Sequence, residues 1–235
     1  MIDNIANGAP TDFRVRTAEE RRARMRARLL SALLDIYLPD ERGNAAVIDD
    51  VIRKAGVSRG TFYKYFDSID EAVTELGRAM ANDMLMTYQR LFGNVADPAI
   101  AVTAGTVLTL SRAALEPRWA AFTSRVDFVA YFSQRDPMLE IVTHSLQRAR
   151  DSELLHFETL SVAADFVIGV TIEGVRRAAH GETLSRRYIN EIALMSLRGL
   201  GMNPDDAHAA IEEVWRQLLQ EAPRIPWWKS EALQH

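Results

Sequence analysis

A run of twenty residues near the N-terminus constrains the fold of this chain more than any other segment. Residues 47–66 read VIDDVIRKAGVSRGTFYKYF. Gly56 permits the left-handed backbone that ends a helix, and Ser58 is a natural N-cap for the next helix. Before the glycine, apolar side chains recur at helical spacing on one face: Val47, Val51, Ile52 and Ala55. The pattern predicts two short helices joined by a tight turn.

The second of these helices has two different sides. Phe62 and Phe66 are four residues apart and point inward together. At 100° per residue, four other positions share an arc of roughly 140°: Arg59, Gly60, Tyr63 and Lys64. A helix that enters the major groove of DNA requires this division between a packing side and a polar side. A structural hairpin with a solvated basic face is the alternative.

The residue types on the polar side suit contacts with DNA. Arg59 can bond bidentately to a guanine edge, and Gly60 removes bulk where the helix approaches the bases. Thr61 and the Tyr63 hydroxyl can donate to phosphate oxygens, and Lys64 adds a cation.

The run AGVSRGTFYKYFDS is similar to the turn, recognition helix and following corner of the tetracycline-repressor (TetR) family of bacterial regulators. The similarity extends over roughly residues 29–75. It implies a DNA-contact set: Arg59, Gly60, Thr61, Tyr63, Lys64 and Tyr65. Two positions depart from the family pattern. Val47 stands where the family has a capping Thr or Ser, and Ile69 stands where it often has a phosphate-binding lysine.

The rest of the chain predicts an all-α protein of nine or ten helices. Strand-like alternation persists nowhere, and helical spacing dominates. Ser68 and Glu71 form a capping box that starts a long helix ending near Phe92. We predict a three-helix DNA-binding domain over residues 1–67 with a flexible arm at 1–13, a helical effector-binding and dimerisation domain over 68–222, and a tail over 223–235.

The resemblance implies that the second domain forms a homodimer and binds a small molecule that releases the protein from its operator, as in a repressor. The expected dimer segments are Leu160–Ala179 and residues 188–200, whose small residues permit close helix approach or, alternatively, packing within the chain: Ala163, Ala164, Gly169, Gly174 and Ala178. A hydrophobic effector needs an apolar pocket, and soft and aromatic residues are candidates: Met84, Tyr88, Trp119, Phe122, Phe128, Tyr131, His144 and Phe166. These residues could equally form core. A body that binds a protein partner instead of a metabolite is the alternative function.

Composition and the missing motifs narrow the function further. The net charge is −4, but residues 1–67 carry an excess of two positive charges that come largely from an arginine run between Arg14 and Arg28. Cysteine is absent, so disulfides and thiolate metal sites are excluded. Phosphate-binding glycine loops, HExxH pairs and GxSxG elbows are also absent from the sequence, and the five histidines are scattered. We therefore expect that the protein is not an enzyme, that it binds no cofactor or metal, and that it is cytoplasmic without a membrane span.

Two tryptophans, Trp227 and Trp228, lie in the tail. We expect them to dock on the body of the protein or on a partner chain, or else to belong to a frayed end.

Overall fold

The computed structural model describes residues 10–37, 47–125, 137–229 and 233 of the 235-residue chain. Within these ranges the regular structure is entirely helical, which confirms the predicted all-α class. Ten α-helices are described: α1 (Pro10–Ile36), α2 (Ile48–Ala55), α3 (Arg59–Phe62), α4 (Ile69–Phe92), α5 (Pro98–Leu115), α6 (Pro117–Arg125), α7 (Pro137–Asp151), α8 (Leu160–Ala179), α9 (Arg186–Gly199) and α10 (Pro204–Glu221). A 3₁₀ turn, Ala222–Arg224, follows α10.

Side-chain caps start several of these helices. Ser68 Oγ accepts the Glu71 N–H at 3.0 Å, and the Glu71 carboxylate accepts the Asp67 N–H at 2.5 Å, so the predicted capping box forms at the start of α4. Asp97 caps α5 and Asn203 caps α10, and a proline follows each cap at the first helical position. The polar turns that separate the helices therefore also supply the residues that cap them.

The described chain divides into two compact units. Residues 10–36 and 47–76 form the first unit, and residues 77–125 and 137–229 form the second together with residues 37 and 233. The predicted boundary after residue 67 precedes α4, whereas the division between the units falls inside α4, after Leu76. In the first unit α1 packs against α2, and its core includes Leu29, Leu33 and Val51.

Helix α5 forms the centre of the second unit. It packs against α6, α7, α8, α9 and α10. Within the described ranges it is the helix whose length and mean hydropathy of 1.3 match those of a membrane span, and 67% of that span is buried by the neighbouring helices. A helix surrounded on most sides by others needs apolar residues around most of its circumference, which accounts for this composition in the core helix of a globular body.

The segment after α10 returns to this body. Trp227 is buried, and the guanidinium carbon of Arg112 in α5 lies 5.3 Å from its ring centroid. The same guanidinium lies 5.1 Å from the ring of Trp119, and its Nη1 lies 2.6 Å from Asp83 Oδ2 in α4. The tail therefore docks on the body of its own chain through Trp227, which is one of the alternatives that the sequence predicted.

Candidate nucleic-acid interface and internal cavity

The turn between α2 and α3 has the predicted geometry. Gly56 adopts φ 62° and ψ 44°, and its N–H donates to the Arg53 carbonyl. Ser58 caps α3, because its Oγ accepts the Thr61 N–H at 3.2 Å. Val51 and Ala55 are buried, but Val47 is 49% exposed and makes no side-chain cap. The prediction that Val47 shares one helix face with Val51, Ile52 and Ala55 is therefore wrong, because Val47 lies in extended backbone before α2 begins.

Helix α3 and the turn after it separate packing residues from exposed ones. Phe62 and Phe66 are fully buried, with ring centroids 5.6 Å apart. The six predicted DNA-contact residues lie on the same short segment: Arg59, Gly60, Tyr63 and Lys64 are exposed, whereas Thr61 and Tyr65 are half-buried. The buried phenylalanines hold the segment on its unit while the polar side chains stay accessible to a partner.

An ion pair joins the two helices at this surface. Arg59 Nη2 lies 3.0 Å from Asp49 Oδ1 at the start of α2. The neighbouring acid, Asp50, pairs with Arg53 inside α2. Lys64 is exposed and makes no ion pair within the described part of the chain. Lys64 therefore has no anionic partner among the described side chains, whereas Arg59 already has one in Asp49.

Arg26 belongs to the arginine run, but it makes internal contacts. Its Nε donates to Glu75 Oε1 at 2.5 Å, its Nη2 pairs with Glu75 Oε2, and its Nη1 donates to the Tyr65 carbonyl at 3.1 Å. The guanidinium also lies 4.6 Å from the ring centroid of Phe66. The hydrogen bond from Arg26 lowers the pKa of Glu75. Sequence reasoning missed this role, because Glu75 lies 49 residues further along the chain.

A cavity of about 260 Å³ lies in the second unit between α4, α5, α6, α7 and α8. Of the predicted pocket residues, Met84, Tyr88 and Trp119 line it. Phe122 is buried elsewhere in the core, and His144 and Phe166 are exposed and do not line it. Phe128 and Tyr131 lie outside the described residues. The wall also contains polar and small residues that no sequence pattern marked: Gly105, Thr106, Thr109, Thr123, Ser145 and Thr171.

Most of the hydroxyl groups in this wall have partners. Tyr88 donates to the Ala101 carbonyl at 3.1 Å, and burial raises the pKa of its phenol. Thr106 and Thr171 join their hydroxyls at 3.2 Å. Two buried atoms, Trp119 Nε1 and Thr123 Oγ1, have no hydrogen-bond partner among the described residues.

Helices α8 and α9 share an exposed apolar surface. Val162 and Phe166 on α8 are 64% and 42% exposed, and Met195 on α9 is 70% exposed. The Phe166 ring reaches α9, because a Cβ placed on Gly199 would lie 3.4 Å from it. Of the small residues expected at a dimer contact, Gly169 is exposed, whereas the others are buried within the chain: Ala163, Ala164, Gly174 and Ala178. These four residues therefore pack within the chain, which is the alternative interpretation of the small residues.

No group of three or more His, Asp or Glu side chains able to hold a metal ion occurs in the residues that the structure describes.

A helix-turn-helix whose second helix exposes polar side chains, together with a larger helical unit, is the arrangement of a DNA-binding transcriptional regulator. Residues 38–76 match the family described as bacterial regulatory proteins, tetR family. This match covers the helix-turn-helix and the start of α4. A comparison with curated proteins finds no significant match.

Solved structures show the same fold over most of the chain. A γ-butyrolactone receptor (ArpA-like protein) is 18% identical with a TM-score of 0.60, covering 85% of this chain and 98% of its own. CprB from S. coelicolor A3(2) is 18% identical with a TM-score of 0.58, covering 82% and 99%. RolR in complex with resorcinol is 21% identical with a TM-score of 0.56, covering 82% and 95%.

Proposed function

We propose that this protein is a repressor that inserts the segment 59–65 into the major groove of its operator and is released by a small, largely apolar molecule. The observation that carries the proposal is the two-sidedness of this segment. Phe62 and Phe66 are buried, while Arg59, Tyr63 and Lys64 are exposed beside them.

The exposed side chains suit different parts of the DNA. Lys64 and the Tyr63 hydroxyl suit phosphate oxygens, which set position and affinity, and Arg59 suits a guanine edge, which sets sequence. Gly60 has no side-chain atom to keep the helix from the bases. A Cβ added at Gly60 would lie 4.0 Å from Ser58 Oγ, the nearest heavy atom outside the adjacent residues.

A dimer would present two such segments to one operator. The exposed apolar surface of α8 and α9 fits a second copy of the chain, because a two-fold interface is built from the same patch on both subunits. Recognition helices about 34–36 Å apart read successive major grooves, so a change in their spacing weakens binding.

The effector site of the proposal is the cavity of about 260 Å³. Met84 and Tyr88 of α4 line it, and α4 continues into the first unit through residues 69–76. A ligand that moves α4 would therefore act on the DNA-binding unit. Binding coupled by about 1–3 kcal/mol changes operator affinity about 5- to 150-fold. The resorcinol bound to RolR and the γ-butyrolactone receptor support a small, oxygen-bearing effector.

Fluorescence anisotropy tests the DNA-contact surface. The duplex is first selected from a random-sequence pool with the wild-type protein, and binding is then measured across a salt series. We expect Tyr63→Ala and Lys64→Ala to lower affinity, and Lys64→Ala to reduce the salt slope by about one.

The matched control for Lys64→Ala is Lys54→Ala. Lys54 is also exposed in the first unit, but its Nζ lies 3.7 Å from Asp35 Oδ2 on α1. Equal binding by the wild type, Tyr63→Ala and Lys64→Ala would reject the assignment of this surface to DNA.

A further inference from the structure

Part of α1 is not covered by any other helix of the described chain. Every residue from 18 to 24 is exposed, and the first buried side chain in the described part of α1 is Leu29. Most of the stability of a protein helix comes from packing an apolar face, and a helix that is polar all round needs another source of stabilisation. Packing within the described chain therefore does not explain the length of α1.

Three arginines form a stripe along this part of α1. At 100° per residue, Arg21, Arg24 and Arg28 share an arc of about 60°. All three are exposed, and none pairs with an acid among the described residues, including Glu20, which lies four positions before Arg24. Like charges at this spacing repel each other. An anionic partner lying along the stripe would remove that repulsion.

One end of the arginine stripe lies against the helix-turn-helix. A Cβ added at Gly56 would lie 3.0 Å from Arg28 Nη2, so this guanidinium is beside the turn between α2 and α3. The N-terminal residues of a recognition helix contact the base edges, and α3 begins at Arg59, three residues after Gly56. The stripe therefore begins beside the proposed DNA-contact segment and extends over about two turns of α1.

The charge of this region suits the backbone of a double helix. Residues 16–28 contain six arginines and two glutamates, although the whole chain has a net charge of −4. Arg21 and Arg28 are separated by about 10 Å along the helix axis, and each strand of duplex DNA carries a phosphate about every 3.4 Å along its axis. A row of cations of this length can therefore lie against several phosphates.

We propose that Arg21, Arg24 and Arg28 bind the phosphate backbone of the operator beside the base pairs that residues 59–65 read. The inference rests on the proposed function of that segment, and it adds a second DNA-contact surface that is independent of sequence. Arg28 also lies near the C-terminal end of α2, where a cation favours the helix dipole. The test variants are therefore made at Arg21 and Arg24, which are further along α1.

Fluorescence anisotropy across a salt series tests the stripe, with the selected duplex and with a duplex of unrelated sequence. We expect Arg21→Ala and Arg24→Ala each to reduce the salt slope by about one on both duplexes. The ratio of the two affinities should stay as in the wild type, because phosphate contacts carry no sequence information.

Arg22→Ala is the matched control. Arg22 is exposed on the same turn and carries the same charge, but it lies about 100–160° around the helix from Arg21 and Arg24. Its salt slope should equal that of the wild type. Urea unfolding of all three variants should give the wild-type midpoint, which shows that changes in binding do not come from loss of the fold.

Two outcomes would overturn the proposal: a reduction of the salt slope by Arg22→Ala equal to that of the other two variants, or unchanged slopes for Arg21→Ala and Arg24→Ala. Lys64→Ala on the same duplexes separates this proposal from the proposed function. If Lys64→Ala weakens binding and the stripe variants do not, only the stripe is rejected. If no operator can be selected but the stripe variants reduce the slope on the unrelated duplex, the proposed function is lost and the stripe remains a DNA-binding surface. A wild-type protein that binds neither duplex would overturn both proposals.

Discussion

At the scale of single residues, Arg26 shows that a charge run in the sequence does not assign the same role to each of its members. Arg21, Arg22 and Arg24 are exposed on α1, whereas Arg26 is half-buried and bonded to Glu75 and the Tyr65 carbonyl. Its guanidinium also covers the ring of Phe66. Arg26 thus links α1 to the segment after α3 and to α4, and its contacts with Tyr65 and Phe66 help to hold that segment in place.

Arg26→Ala is expected to lower the free energy of unfolding by about 1–2 kcal/mol, a range reduced from that of a buried pair because both side chains are about a third exposed. Urea unfolding at pH 7 measures the loss. Arg24→Ala on the exposed side of α1 is the control, and its effect should stay within about 0.5 kcal/mol. Equal losses in the two variants would contradict a structural role for Arg26.

The same pair makes stability depend on pH. Because the pKa of Glu75 is lowered in the folded protein, its contribution is complete above the ordinary glutamate pKa and disappears as the pH falls through the lowered value. The difference in unfolding free energy between wild type and Glu75→Gln should therefore shrink between about pH 5 and pH 3. A difference that stayed constant over this range would mean that the ion pair contributes nothing.

At the scale of helices, two glycines that each lie inside a long helix have opposite surroundings. A Cβ on Gly174 of α8 would lie 2.5 Å from Leu110 Cδ2, and Leu110 is fully buried in α5. A Cβ on Gly105 of α5 would touch nothing within 4 Å. Gly174 therefore permits the close contact of α8 with α5, while Gly105 leaves space beside α5.

Gly174→Ala should destabilise the protein by about 1–3 kcal/mol through overpacking. Gly105→Ala should stabilise it by about 0.4–1 kcal/mol, because alanine favours the helix and restricts the unfolded chain. Thermal unfolding of the two variants beside wild type checks both signs, and each serves as the control for the other. A stabilising Gly174→Ala would show that Leu110 moves aside without cost.

At the scale of the whole molecule, the exposed apolar surface on α8 and α9 is where the proposed function places a second copy. Its residues Val162, Phe166 and Met195 are large and solvent-accessible in the single chain. Exposed large apolar side chains on neighbouring helices favour an interface with another chain.

Phe166→Asp combined with Met195→Asp should convert a dimer to a monomer, because two charges per subunit would be buried in the interface. Sedimentation velocity measures the change, and operator affinity should fall together with the loss of the dimer. Met86→Asp is the control, since Met86 is also an exposed methionine, at 56%, but lies on α4. A double variant that remains dimeric would place the interface elsewhere.

Local interactions explain what could be predicted from the sequence alone. The left-handed Gly56, the Ser58 and Ser68 caps and the buried Phe62–Phe66 pair all depend on residues within about four positions of each other. The all-helical class and the helix-turn-helix were therefore accessible from spacing and residue type. The exposure of Val47 was not, because it depends on which residue begins α2.

Contacts between distant segments decided the rest. Glu75 as the partner of Arg26, the five helices around the cavity, and the burial of Ala163 and Gly174 all depend on how helices pack, which short-range spacing does not encode. Helical periodicity marks a residue as inward-facing, but it cannot tell a core position such as Phe122 from a cavity wall such as Trp119. The sequence by itself determined the helices and the DNA-binding motif through short-range hydrogen bonds and spacing. Only the tertiary structure decided the cavity and the exposed surface, because both are formed by side chains from several helices together.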